Sequence, residues 1–131
     1  MNTKESDIFG EVIYAYTRKQ AIDDGVLIDV SEMAREVGIR FPVATTETVW
    51  QEYIVPNETL KNQGQSINGR LWDLLWMFRC AAAKNSQNEL SFAVYFLLPN
   101  QASPKLIKFK AHCGPGDHGE PVITIMQPHE D

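Results

Sequence analysis

The sequence predicts an α+β fold: a three- to four-stranded antiparallel sheet ending in a C-terminal meander, one long helix packed across it, and short N-terminal helices. Three observations carry this. Apolar residues keep a helical spacing over a long stretch once, at about residues 67–84. The last third switches to the two-residue period of strands. Glycine and proline interrupt the N-terminal half too closely for long elements.

In chain order, residues 1–7 read as a flexible arm on a single domain of 1–131, and IFGEVIYAY (8–16) as a short strand or an extended lead-in. Thr17 and Gln20 have capping-box spacing for a small helix, and Gly25 stands where a left-handed residue ends one. VLIDV (26–30) is short and β-branched, and reads as a strand. Ser31 is placed to cap EMAREV, which Gly38 stops. Pro42 holds Phe41 extended. TETVWQEYI carries Val49, Trp50, Tyr53 and Ile54 on one side of a third short helix. NETLKNQGQSING (57–69) reads as a flexible loop.

In the long helix, Leu71, Leu74, Leu75, Phe78 and Ala82 form the core stripe. Trp72 and Trp76 make a second row, and Arg70 and Asp73 are close enough to pair. LSFAVYFLLP (90–99) is apolar in both alternating sets, as in a strand covered on two faces. In KLIKFKAHC (105–113), Ile107, Phe109, Ala111 and Cys113 share one face and Lys108, Lys110 and His112 the other. PVITIM (121–126) is a further strand.

Composition excludes several functions. A net charge of −5 and a pI near 5.1 leave no electrostatic footprint for binding a phosphate backbone. MNTKESD carries no apolar signal core, and LWDLLWMFRCAAA is too short to span a bilayer and contains Asp73 and Arg79. A cytoplasmic protein with no membrane partner is expected, and Cys80 and Cys113 are then reduced thiols. Ala34, Gly38 and Ile39 follow the opening of a helix-turn-helix. Pro42, however, falls where the recognition helix should begin, and Glu47 and Glu52 lie where DNA would. Lys105, Lys108 and Lys110 read as a solvated strand face that discourages edge pairing.

The stretch AHCGPGDHGEP (111–121) concentrates the side chains that do chemistry. Gly114-Pro115-Gly116-Asp117 fits a type II turn, with proline fixing φ at the second position and glycine supplying positive φ at the third. Asp117 can then bond its own backbone, and Gly119 allows a second reversal before PVITIM. His112, Asp117 and His118 are the weak metal candidates: three ligands, but no recognised spacing. No metal or cofactor is expected. Cys113 aligns with the apolar face and reads as a buried thiol; His112 points away from it, and only His118 could reach it, through folding of the loop. Phosphate cradling fails because Pro115 has no N–H and Asp117 and Glu120 would repel the anion.

With these residues in view, the chain resembles an uncharacterised family of small bacterial proteins, many encoded on plasmids and other mobile elements. The resemblance is carried by DIFGEVIYAYTRKQAIDDGVLIDV, AREVGIRFPVATT, GRLWDLLWMFR and HCGPGDHGEPVITIMQPHED. It implies no assigned activity. It marks Tyr16, Thr17, Arg18, Asp24, Gly25, Asp29, Arg70, Trp72, Asp73 and Gly114 to Asp117 as positions in the family's phrases. His118 and His129 stand where relatives differ, which weighs against a metal role for either.

The balance is against an enzyme. The sequence reads as a cytoplasmic accessory protein of a mobile element, binding a protein partner or itself through the Trp-bearing helix or the polar face of the sheet. The binding candidates are Arg18, Asp29, Arg70, Trp72, Asp73, Trp76 and Asp117, with the charged ones also locking the N-terminal segment onto sheet and helix. The alternative is a small enzyme or ligand binder with a pocket between residues 16–29 and the GPGD loop.

Overall fold

Proline at 121 followed by the β-branched run Val122–Ile125 makes a strand apolar on both sides, and such a strand belongs in the middle of a sheet. The computed structural model, which describes residues 16–130, places it there. The arm at 1–7 and most of the extended lead-in lie outside the described residues. The elements are α1 (Arg18–Asp23), β1 (Leu27–Asp29), α2 (Ser31–Val37), β2 (Val43–Thr46), α3 (Glu47–Val49), α4 (Glu58–Asn62), α5 (Ile67–Ala82), β3 (Glu89–Phe96), β4 (Lys105–Pro115) and β5 (Pro121–Met126). A π-helical turn, Trp50–Ile54, continues α3.

The sheet has five strands in the order β1-β2-β5-β4-β3. The antiparallel meander β3-β4-β5 matches expectation, with Phe92 opposite Phe109 and Cys113 opposite Ile123. The strand count and the all-antiparallel pairing do not. β2 runs parallel to β5, with Val43 opposite Ile123, and β1 adds antiparallel to β2. Because β5 is central, β3 is an edge strand whose burial alternates, and Tyr95 on its open face is 66% exposed. The two-sided covering expected of β3 therefore belongs to β5.

One face of the sheet carries the core. Leu71, Leu74, Leu75 and Phe78 of α5 meet Leu90, Phe92, Phe96 and Phe109, and Tyr53 stacks on Phe96 and meets Phe109 edge-on. The long helix lies chiefly against β3 and α2 rather than across the whole sheet.

The helix ends follow local chemistry. Thr17 and Gln20 form the capping box of α1, Gly25 has φ +79°, and α2 stops at Gly38 with φ +105°. Ser31, however, is the first helical residue of α2 and not its cap. Its hydroxyl donates to Asp29 Oδ1 at 2.6 Å and accepts from Val43 N at 3.0 Å, joining β1 to β2. The segment 57–69 is not one loop: Asn57 caps α4 and Ser66 caps α5. Among the described residues no helix is long and apolar enough to cross a membrane.

Candidate functional site

The glycine-rich corner closes the β4–β5 hairpin, but not by the expected turn. Pro115 stays in β4 opposite Pro121, and only Gly119 has positive φ there, at +81°. The reversal is Asp117-His118-Gly119, with Gly116 N–H donating to Glu120 O and Gly119 N–H to Gly116 O. This is a turn finished by a left-handed glycine. Gly114 and Gly116 instead lie under the His112 and Glu120 side chains. A Cβ at Gly114 would lie 2.7 Å from the His112 ring, and one at Gly116 would lie 2.7 Å from the Glu120 carboxylate.

Asp117 does not bond its own turn. Its carboxylate accepts the N–H groups of Arg18 and Lys19 at 2.8 and 3.0 Å, capping the first turn of α1 from across the sequence. Those two donors hold its pKa below the ordinary carboxylate value, since they favour the charged form. The Arg18 guanidinium donates to Thr124 Oγ1 and Ile123 O, both at 2.8 Å, and its burial lowers its pKa. Arg18 and Asp117 thus clamp α1 to the hairpin. They also line a cleft of about 810 Å³ with Tyr16, Lys110, His112 and Thr124. Asp29 is not in the lining; it serves Ser31.

Arg70 is buried at the head of α5. It donates to Tyr53 O at 2.6 Å, Gln65 Oε1 at 3.0 Å and Leu97 O at 3.0 Å, and lies over the Phe96 ring. The expected pair with Asp73 does not form. Those three oxygens engage the Nε and Nη1 of Arg70, and Asp73 feels the guanidinium only at longer range. Partial burial raises the Asp73 pKa. Beyond Asp73, the outer side of α5 exposes Trp72, Trp76 and Met77, each about two-fifths accessible.

The sequence candidates therefore divide among a cleft clamp (Arg18, Asp117), two structural locks (Asp29, Arg70) and an exposed helix face (Trp72, Asp73, Trp76). His112, Asp117 and His118 do not gather: among the described residues no group of three or more His, Cys, Asp or Glu side chains is placed to hold a metal ion. Cys80 and Cys113 are free thiols, half-buried, and both line a second groove with Phe41. Sequence reasoning missed that groove, and the part of Lys110 in the cleft. The alternation of β4 already put Lys110 beside His112, but nothing local tells which helix lies opposite.

No curated protein and no solved structure matches the chain. Residues 6–131 match the model of a family of unknown function (DUF6573), and the chain belongs to that family.

Proposed function

We propose that this chain is a non-enzymatic interaction protein, a single domain whose contact surface is the outer face of α5, working in the bacterial cytoplasm as an accessory of a mobile element. One observation supports the contact surface above all. Trp72, Trp76 and Met77 are exposed together on a helix whose remaining exposed charges are Asp73 and Arg79. Exposed tryptophans bring large apolar area to a contact, and few charges need desolvating there. The polar groups of the cleft clamp are already satisfied within the fold, which argues against their service as acid–base machinery.

The test is a photo-reactive phenylalanine analogue at position 77, with a control at position 95 on the open face of β3, irradiated in the host. A discrete adduct from position 77, lost in W72A/W76A, is expected. No adduct there, or the same adduct from position 95, ends the reading.

A second reading, ligand binding, is favoured by the cleft of about 810 Å³ where α1 meets the hairpin. A metabolite that raises the melting temperature of the wild type but not of K110M would support it.

A further inference from the structure

We propose that the second groove, between the loop after α2 and the C-terminal end of α5, binds a small anionic amphiphile: a carboxylate or similar head on an apolar body. The groove encloses about 780 Å³, the scale of ordinary small-ligand sites. Phe78, Leu90, Ala111 and Ile123 supply an apolar floor continuous with the core, and the exposed Phe41 forms a lip.

Its charge is one-sided. Arg40, Arg79 and Lys84 line it and no Asp or Glu among the described residues does, in a chain whose net charge is −5. Among the described residues none of these cations has an ion-pair partner; the pairs there are Lys19–Asp23, Lys61–Glu58 and Lys110–Glu89. Arg79 is positioned by packing instead. Its guanidinium lies 5.3 Å from the centroid of Trp76, and its Nε lies 3.0 Å from where a Cβ on Gly38 would be. Gly38 thus ends α2 and also makes room for a cation at the groove's edge. Guanidinium donors beside an apolar floor match a ligand with an acidic head and a hydrocarbon tail. A neutral ligand would use the floor alone, and a cationic one would be repelled.

Decanoate and decyltrimethylammonium below their micellar concentrations, and decanol below its solubility limit, test this at equal chain length. Tryptophan emission reports binding beside Arg79, and iodoacetamide alkylation of Cys80 and Cys113 reports cover of the groove. Decanoate is expected to saturate the emission change and slow alkylation, while R40Q/K84Q, with wild-type melting, weakens it about tenfold. R79Q is the second variant, expected to act alike. Equal binding of all three compounds, no binding of decanoate, or unchanged affinity in the variants would overturn the proposal. So would binding to anionic phospholipid vesicles without binding to free decanoate.

Discussion

Arg70 is only 3% exposed yet carries a full charge, and its partners come from three separate segments: Tyr53 in the π-helical turn, Gln65 before α5, and Leu97 after β3. Truncation would leave two carbonyls without these donors, so R70A should lose on the order of 3 kcal/mol in urea unfolding. D73A should stay within about 0.5 kcal/mol, because Asp73 holds none of those groups. The sign for Asp73 agrees. A carboxyl whose folded pKa is raised opposes folding once ionised, so its penalty is absent at low pH and appears as pH rises through the ordinary carboxylate range. Thr45 makes a different case. Its hydroxyl is fully buried and has no hydrogen-bond partner among the described residues. T45V should therefore stabilise the protein, by about 1 kcal/mol, read as a higher urea midpoint at unchanged slope.

At the scale of elements, α1 is too short to hold itself and relies on its capping box and on Asp117 from the far hairpin. The Asp117 pKa is lowered, so its contribution is complete above the unfolded carboxylate value and is lost as pH falls through the folded one. D117A should melt below the wild type at pH 7, and the gap should close as pH drops below about 4, in parallel thermal scans. The turn itself shows how far local reading reaches. Proline and glycine at 114–116 announce a reversal, but the chain makes it farther on, at Asp117-His118-Gly119, with Gly114 and Pro115 still paired in β4. The turn type differs because Pro115 stays paired with Pro121 and the Gly116 N–H bonds Glu120 O, cross-strand pairings that no rule for four consecutive residues encodes. Likewise Ser31 looked like a cap, but a β-strand twelve residues later competed for its hydroxyl.

The whole molecule is tied together by β5. It pairs with β4 beside it in sequence and with β2 from the N-terminal third. Removing it would separate β1 and β2 from the meander and strip the core of Ile123 and Ile125. A chain ending at residue 115 should therefore lack the near-ultraviolet circular dichroism of packed aromatics. The 131-residue chain should unfold in one step, with tryptophan emission and far-ultraviolet signals coinciding, as the proposed single domain requires. Two offset transitions would show that α1–β2 and the meander melt apart.

The sequence by itself determined the helix stops at Gly25 and Gly38, the span and core stripe of α5, the meander and the second row of tryptophans, because each depends on spacing or on φ within a few residues. Tertiary structure alone decided the parallel β2–β5 pair, the central place of β5, the bond from Asp117 to α1 and the groove with its one-sided charge. Those pairings join residues dozens of positions apart. Local periodicity tells which face of an element is buried, but not which distant element buries it.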